Sequence, residues 1–216
     1  MDLIYCAKYT ELSPIAASMG FLLGARSDSA RVIKYKGMID INWKNYNWDN
    51  HLSVVKDHQP KYSVAPDITN REQLNKTINN AYELKKWSDF VIVVPKENNL
   101  INDIPNDFVI GVSVPSNYAG FVPMGAELSG RKAHLLGGSP RKQLELYRHY
   151  SEFDVEIASS DINCHHKASN YGSYWNGNKW CDNERSSIGK HGAFKKSCEG
   201  IIRMWGHELN REKRHC

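Results

Sequence analysis

The sequence predicts an α/β fold with a parallel sheet, and three observations indicate it. Short apolar or β-branched runs recur along the chain, and each ends in a polar or turn residue. Segments with apolar residues at helical spacing separate several of these runs. Two runs, residues 90–94 and 108–112, are apolar on both faces, which is typical of parallel strands covered by helices. Strands that alternate with helices favour parallel pairing.

Seven runs qualify as strands: residues 3–6, 32–41, 62–65, 90–94, 108–114, 133–136 and 155–158. Helices are predicted over residues 70–87 and 140–150, where apolar side chains recur on one face. Residues 96–107 are predicted to form a loop. The Asn176-Gly177 step between aromatic residues predicts a β-hairpin. A closing helix is predicted from Ser187 onward.

The chain length limits the architecture. With 216 residues, 41% of them hydrophobic, the chain suits one globular unit with a sizeable core. The strand pattern fits a barrel and a doubly wound sheet equally well. A full barrel of eight strand–helix units needs ~250 residues, so a barrel here must have some helices missing or reduced to loops. We expect a core over residues 1–180 and a basic helical segment over residues 181–216 packed on it.

The positive charge is concentrated near the C-terminus. The formal net charge is +4, and residues 179–216 hold nine Lys and Arg against five Asp and Glu. The other 178 residues balance at 19 of each sign. A basic segment on a neutral body fits contact with nucleic-acid phosphates, and it fits a solvated, charged helix equally well.

Compartment and cofactors are predicted from what the sequence omits. No window approaches the ~20 apolar residues of a membrane span, so we expect a soluble, cytoplasmic protein without a membrane partner. The five cysteines are an odd number without CxxC spacing, which favours reduced thiols over disulfides or a zinc site. We therefore expect no metal and no cofactor.

Candidate functional residues stand where the predicted strands end. In parallel α/β folds these carboxyl ends carry the reactive side chains, because the loops that follow them converge. The residues at these positions include Asp40, Asp67, Lys96, Ser113, Gly137, Gly138, Ser139 and Asp161. Two carboxylates held apart at the end of the sheet or barrel where the strands finish suit glycosidic-bond chemistry. In that chemistry one carboxylate attacks the anomeric carbon and the other transfers protons.

A structural interpretation competes with each of these functional ones. Asp67 and Asp161 both precede helix-like segments, so either could be a helix N-cap. The Gly137-Gly138-Ser139 segment could hold a phosphate with its backbone N–H groups. It is as well explained by a tight strand-to-helix turn followed by Pro140 at the first helical position.

Taken in order, five blocks resemble the tRNA-guanine transglycosylase superfamily, including phage enzymes that insert 7-deazaguanine bases into DNA. The similarity runs from about Asp40 to Trp180. The blocks are Tyr-Ser-Val-Ala-Pro-Asp at 62–67, Phe-Val-Ile-Gly-Val-Ser at 108–113, His-Leu-Leu-Gly-Gly-Ser-Pro at 134–140, the strand over 153–161 and Lys-Ala-Ser-Asn-Tyr-Gly at 167–172. The chain is more similar still to a group of short, mainly viral proteins that share the Val-Ala-Pro-Asp and Leu-Gly-Gly-Ser-Pro blocks.

The resemblance implies a compact or incomplete TIM-like (β/α) barrel with a C-terminal hairpin and helix, and a pentosyltransferase activity. Asp161 would attack C1′ of the nucleotide, and Asp67 would bind the base edge and shuttle its proton. Substrate-binding roles would fall to Asp40, Lys96, Gly111, Ser113, Gly137, Gly138 and Ser139, and nucleic-acid-binding roles to Lys167, Tyr171, Tyr174 and Lys179. The expected partners are DNA or RNA and a free modified nucleobase, with a homodimer allowed and the host-cell cytoplasm as location if the protein is viral.

Two departures from that family shape the expected substrate. No Cys-x-Cys-x-x-Cys zinc motif follows Trp180, and Lys96 stands where the family has a base-contacting glutamine. The missing zinc motif favours DNA over tRNA, so we expect replacement of guanine in DNA with a 7-deazaguanine-type base through a covalent aspartyl–sugar intermediate. Lys96 leaves bases other than guanine and its 7-deaza analogues open. Two alternatives stay open: a nucleosidase or DNA glycosylase, in which water resolves the intermediate, and a non-catalytic viral accessory protein that binds a nucleobase or nucleotide.

Overall fold

The computed structural model describes residues 1–30, 34–42, 44–115, 121–182 and 188–212. Eight parallel strands close into a barrel in chain order. The predicted α/β class is confirmed. Of the barrel and the doubly wound sheet that the strand pattern allowed, the structure has the barrel. The strands are β1 (Asp2–Cys6), β2 (Leu22–Arg26), β3 (Met38–Asp40), β4 (Tyr62–Val64), β5 (Phe90–Val93), β6 (Val109–Ser113), β7 (Lys132–Leu136) and β8 (Glu156–Asp161).

Helices surround the barrel unevenly. The α-helices are α1 (Ser13–Ser18), α2 (Trp48–His58), α3 (Leu74–Lys85), α4 (Pro140–Ser151), α5 (Cys164–Ser169) and α6 (Gly189–Glu212). The described parts of the β5–β6 and β6–β7 connections contain only 3-10 helices, Asn98–Asp103 and Gly125–Leu128. These short connections allow eight strands to close within 216 residues. The barrel is therefore compact and complete, and the predicted loop over 96–107 contains one of these 3-10 turns.

The predicted strands missed one member of the barrel. β2 reads Leu-Leu-Gly-Ala-Arg, and its central glycine weakens the strand pattern. That glycine is required by packing, because a Cβ on Gly24 would lie 3.1 Å from the Cβ of Met38 and 3.2 Å from a methyl group of Ile4. Close approach of side chains inside the barrel therefore explains why this strand does not have a typical sequence.

The strand predicted over residues 32–41 is much shorter in the structure. Only Met38–Asp40 is strand, and Val32 lies outside the described residues. The backbone N–H of Tyr35 donates to Nδ1 of His58 at 2.9 Å instead of joining the sheet. At Gly37 a Cβ would lie 2.4 Å from the carbonyl oxygen of Leu23, so the chain approaches β2 too closely for a side chain.

Two apolar layers stabilise the fold. Inside the barrel, a cluster that includes Ile4, Met38, Val64 and Ile92 fills the lumen. Outside it, a larger cluster packs the strands against the helices. Strands buried on both faces explain the continuous apolar runs of β5 and β6. Together these layers pack against both faces of the barrel strands.

The C-terminal part has the predicted hairpin and helix. β9 (Tyr174–Trp175) pairs antiparallel with β10 (Trp180–Cys181), and Oδ1 of Asn176 accepts the backbone N–H of Lys179 at 2.9 Å in the turn. α6 buries Phe194 and Trp205, and the start predicted at Ser187 lies outside the described residues. In the part of the chain that the structure describes, no helix has the length and apolar character needed to cross a membrane.

Candidate active site at the barrel mouth

The carboxyl ends of the strands surround an open cavity of about 560 Å³. Apolar side chains of Val64, Val94 and Leu136 contribute to its wall. We call this space the mouth cavity. Seven of the residues predicted from strand ends line it: Asp40, Asp67, Lys96, Ser113, Gly137, Gly138 and Asp161. The closed barrel thus brings together side chains that lie up to 121 residues apart in the sequence.

A β-bulge turns Asp161 toward the mouth. In β8, Ala158 has no partner on β7, because Ala133 pairs with Ile157 and the next residue of β7 pairs with Ser159. Ile157 packs in the outer core. Strict alternation would place Asp161, four residues later, on that same outer face. The extra residue reverses the alternation, so the bulge aims the carboxylate into the mouth.

One oxygen of Asp161 is held and the other is open. Oδ1 accepts the backbone N–H of Gly137 at 2.9 Å, and Nε2 of His134 lies 3.2 Å from the same oxygen. Oδ2 has no hydrogen-bond partner among the described residues. Nδ1 of the fully buried His134 lies 2.7 Å from Oγ of Ser159. Since a carboxylate accepts, Nε2 donates to Asp161, while Nδ1 shares a hydrogen bond with the Ser159 hydroxyl.

Gln143 of α4 fixes the backbone on both sides of this contact. Its Nε2 donates to the carbonyl oxygen of Gly137 at 2.7 Å and to that of Asp161 at 2.8 Å. The residue is fully buried. Because the two carbonyls belong to the ends of neighbouring strands, this amide holds β7 and β8 in register where the nucleophile candidate lies.

The Gly137-Gly138-Ser139 segment forms a strand-to-helix turn. Both glycines have positive φ, 62° and 76°, which residues with a side chain rarely adopt. Oγ of Ser139 caps α4 by accepting the N–H of Lys142 at 3.4 Å, and Pro140 is the first helical residue. The tight-turn interpretation is therefore correct for the backbone. Gly137 and Gly138 also line the mouth cavity, whereas Ser139 is not among its lining residues.

Asp40 is the carboxyl group that interacts with Asp161 across the mouth. It ends β3, and its Oδ1 accepts the backbone N–H of Ile41 at 2.8 Å. Desolvation in the mouth, followed by the negative charge of Asp161, raises the pKa of Asp40 to about 7, and Arg26 opposes the rise. A carboxyl group with such a pKa both gives and takes a proton near neutral pH.

Asp67, Lys96 and Ser113 form a polar chain on the other side of the mouth. Nζ of Lys96 lies 3.2 Å from Oδ2 of Asp67 and donates to Oγ of Ser113 at 2.9 Å. Burial raises the pKa of Asp67, and the charge of Lys96 opposes that rise. Asp67 is therefore bound to a lysine, whereas Asp161 is bound to the backbone N–H of Gly137 and to His134.

Neither aspartate is a helix N-cap. Asn70 caps the 3-10 helix Arg71–Gln73 with its side chain, and Asn163 occupies the N-cap position of α5. The structural interpretation of Asp67 and Asp161 is therefore wrong, and both side chains face the mouth cavity.

A second cavity of about 480 Å³ adjoins the first. The two cavities share Asp40, Asp161 and Asn163 among their lining residues. Its other polar residues include Lys8, which follows β1, Arg26 at the end of β2 and Lys167 in α5. We call this space the basic cavity, because its wall carries these three cationic side chains. The mouth cavity, by contrast, carries the Asp67–Lys96 pair.

The remaining predicted site residues lie elsewhere. A Cβ on Gly111 would be 2.6 Å from a methyl group of Val94, so this glycine is packed inside the barrel and does not line the cavity.

Of the residues predicted to bind nucleic acid, only Lys167 lines either cavity. Tyr171 is 60% exposed just after α5. Tyr174, which lies under Nζ of Lys196 at 4.9 Å, and Lys179 belong to the hairpin region.

Sequence reasoning missed three residues that organise the site: Arg26, His134 and Gln143. Arg26 was missed because its strand was missed, although the polar residue after Leu-Leu-Gly-Ala is a usable signal. His134 lies in the middle of β7, where no strand-end argument applies. Gln143 is one of several polar residues of α4, and only the fold shows that it turns inward.

No described group of three or more His, Cys, Asp or Glu side chains is placed to hold a metal ion. The described cysteines are all free. Cys6 lies in the wall of the basic cavity, where burial and the nearby charges of Asp40 and Asp161 raise the pKa of its thiol well above the usual range. This thiol is therefore protonated at neutral pH.

The fold and the site together define a compact, eight-stranded parallel barrel with three carboxyl groups at its carboxyl-end mouth. The chain belongs to DUF6610, a family of unknown function, whose model matches residues 16–206. The matched range includes every residue of the mouth cavity. No curated protein matches the chain.

Proposed function

We propose that the barrel mouth exchanges bases in a nucleic acid by cleaving an N-glycosidic bond through a covalent aspartyl–sugar intermediate. The observation that carries this proposal is the carboxylate of Asp161, which is anchored through Oδ1 and open at Oδ2 within the mouth cavity. The ordered resemblance of five sequence blocks to transglycosylases supports the same reaction and suggests guanine in DNA as the base replaced.

In the first step, Oδ2 of Asp161 attacks C1′ and the bond from C1′ to the base nitrogen breaks. The N–H groups of Gly137 and His134 orient the carboxylate for this attack, because both are bound to the oxygen that does not react. In the second step, the nitrogen of the incoming base attacks C1′ and releases Asp161. Each step inverts the anomeric carbon, so the configuration is retained.

We assign the proton transfers to Asp40, which lines the mouth cavity together with Asp161. With a pKa of about 7, its acid form donates a proton to the leaving base, and the resulting carboxylate takes a proton from the incoming base. The protons of the two steps therefore balance. The sequence favoured Asp67 for this role, but Asp67 is paired with Lys96. We assign Asp67 to binding the base edge instead.

The mouth cavity offers the contacts that a base needs. Its apolar wall, which includes Val64, Val94 and Leu136, suits the faces of a flat ring. Lys96 and Ser113 supply hydrogen-bonding groups for the edge of the ring, together with Asp67. A base in a duplex must first be extruded into this cavity, at a cost of a few kcal/mol.

The experiment is to trap the covalent adduct. The protein is incubated with candidate DNA and RNA oligonucleotides and a 7-deazaguanine base, and the products are separated on denaturing gels. We expect an adduct with the parent chain and none with Asp161→Asn. Asp107→Asn, at an exposed aspartate paired with Lys85 away from the mouth, is the matched control and should trap as the parent does. An adduct of normal yield with Asp161→Asn rules out the nucleophile.

Mass spectrometry of the same reactions separates exchange from its alternatives. Incorporation of the added base into the oligonucleotide supports the proposal. Release of the old base without incorporation identifies hydrolysis, and the activity is then that of a nucleosidase or DNA glycosylase. Tight binding of a nucleobase without turnover, unchanged in Asp161→Ala, identifies a non-catalytic binder and overturns the enzymatic proposal.

A further inference from the structure

The basic cavity adjoins the mouth cavity along the wall formed by Asp40, Asp161 and Asn163. We propose that it binds a phosphate ester carried by the same sugar whose C1′ faces Asp161. Lys8, Arg26 and Lys167 would be the binding residues. This inference rests on the proposed function, and it assigns a phosphate next to the reacting sugar to the basic cavity.

The cations of this cavity are available to a ligand. Nζ of Lys8 and Nζ of Lys167 have no ion-pair or hydrogen-bond partner among the described residues. Arg26 donates to Asp28 through Nε at 3.1 Å and Nη2 at 3.0 Å, which leaves its Nη1 without a partner in the described part of the chain. Eight other lysines of the described chain, such as Lys34 with Asp57, lie within ion-pair distance of a carboxylate. An anion is the ligand that such unpaired cations favour.

The positive charge without a partner comes from Lys8 and Lys167, because Arg26 is paired with Asp28. His166 shares a hydrogen bond between its Nδ1 and the hydroxyl group of Tyr5, and burial lowers its pKa, so the ring is neutral near pH 7. The carboxyl groups in the wall are those of Asp40 and Asp161, both on the side shared with the mouth cavity. The negative charge therefore lies next to the reacting sugar, and the positive charge lies away from it.

The arrangement matches the way a nucleotide is built. The base leaves the sugar at C1′, whereas phosphate esters leave it at C5′ or C3′. A sugar placed at Asp161 can therefore direct its base into the mouth cavity and one phosphate into the basic cavity. Binding energy from a phosphate that does not react would hold C1′ at the open Oδ2 of Asp161.

The test measures how much a phosphate adds to binding. All proteins carry Asp161→Asn, so that no turnover occurs. Calorimetry compares 2′-deoxyguanosine with its 5′- and 3′-monophosphates, and the other three deoxynucleosides are compared in the same way. We expect at least one monophosphate to bind about tenfold more tightly than its nucleoside, since hydrogen bonds to charged groups are worth roughly one factor of ten or more. A single-stranded 12-mer tests whether the phosphate can belong to a strand.

Two double variants make the test specific. Lys8→Gln/Lys167→Gln should reduce the advantage of the phosphorylated ligand to about threefold or less. Lys36→Gln/Lys195→Gln removes the same charge from exposed positions that line neither cavity, and it should keep the advantage. The proposal is overturned if both double variants lose the same part of the monophosphate's advantage in affinity over its nucleoside. It is also overturned if the protein without these substitutions shows no such advantage. Binding is measured without adduct trapping, so a failure of the phosphate site and a failure of the proposed function give different results.

Discussion

Nε2 of His134 lies 3.2 Å from Oδ1 of Asp161, and both side chains are buried, at 0% and 7% exposure. The imidazole is fixed in turn by Ser159. This short chain of contacts sets the rotamer of the carboxylate and leaves Oδ2 for the sugar. His134 is thus a positioning residue for the proposed nucleophile, although it touches no substrate itself.

Replacing His134 should slow the chemistry more than it weakens binding. With His134→Ala, Asp161 keeps only the Gly137 N–H, and a misplaced nucleophile costs roughly 10- to 100-fold in the rate of adduct formation. His134→Gln should recover part of the rate, because its amide N–H can donate to the carboxylate. Single-turnover adduct formation at saturating and subsaturating oligonucleotide separates rate from affinity. His51→Ala, at a fully buried histidine of α2, controls for lost packing, and an equal slowing there contradicts the positioning role.

Asp40 should make the protein less stable as the pH rises. Its pKa of about 7 lies above the ordinary 3.8, so the folded chain keeps a proton between about pH 4 and 7 that the unfolded chain has lost. The free energy of unfolding therefore falls with rising pH across that window. Asp40→Asn removes this penalty and should stabilise the protein at pH 8, by at most about 4 kcal/mol, with the difference vanishing near pH 4. Urea unfolding at the two pH values measures it.

The same substitution should abolish efficient base exchange, since an amide neither donates nor accepts the required proton. A variant that is more stable at pH 8 but inactive supports both assignments. If Asp40→Asn is destabilised at pH 8 and still active, the carboxyl group is neither strained nor catalytic.

Lys96 should control which base is accepted. Lys96→Gln removes the cation that pairs with Asp67 and lowers its pKa, so the pKa of Asp67 should rise further. Because Asp161 has its own partners, we expect adduct formation to persist while the preference among bases changes by about tenfold or more. Competition between pairs of bases in one reaction measures that preference. Ser113→Ala, which removes the neighbouring hydroxyl group but keeps the ion pair, should change it less.

The residues at strand ends were predictable because of a general rule of parallel barrels. Asp40, Asp67, Lys96 and Asp161 all followed apolar runs, and the carboxyl ends of such runs share one rim. The helix-cap alternative could not be excluded from the sequence, since Asp precedes helices often. The structure decides against it, because Asn70 and Asn163 occupy the N-cap positions and Asp161 instead contacts Gly137 and His134.

What the sequence did not predict depends on register and close packing. The bulge at Ala158 reverses the alternation of β8, and nothing in the Ile-Ala-Ser-Ser-Asp string indicates which residue lacks a partner. The strand Leu22–Arg26 contains a glycine because side chains of the neighbouring strands come close to it. Glycine has a low β-strand propensity, so the sequence does not indicate a strand there. Arg26 and the basic cavity were missed for the same reason.

The two glycines of the turn after β7 should differ in their tolerance of a side chain. A Cβ on Gly138 would lie 2.4 Å from a methyl group of Val114, whereas a Cβ on Gly137 would meet nothing within 4 Å. Both have positive φ, so Gly137→Ala should cost about 1 kcal/mol of stability and Gly138→Ala about 2–4 kcal/mol. Thermal or urea unfolding gives the two values. Equal costs would mean that backbone strain alone matters and that the contact with Val114 relaxes freely.

Arg148 should anchor the C-terminal helix to the barrel. Its Nε and Nη2 donate to the two carboxylate oxygens of Glu208 at 2.8 and 2.7 Å, and the Glu208 side chain is only 5% exposed. Arg148→Met leaves that carboxylate buried with only the contact of Arg211 at 3.6 Å, so we expect a loss of about 2 kcal/mol at pH 7. Arg148 lowers the pKa of Glu208, so this contribution is present above the ordinary pKa of glutamate and is lost as the pH falls.

The loss caused by Arg148→Met should therefore shrink at pH 3 to 4, where urea unfolding can be repeated. Lys86→Met is the matched control, because its pair with Glu83 is exposed on both sides and should contribute less than about 0.5 kcal/mol. Amide hydrogen exchange in α6 adds a local readout. If the exchange of α6 stays unchanged while the global stability falls, Arg148 acts within α4 and does not hold the two helices together.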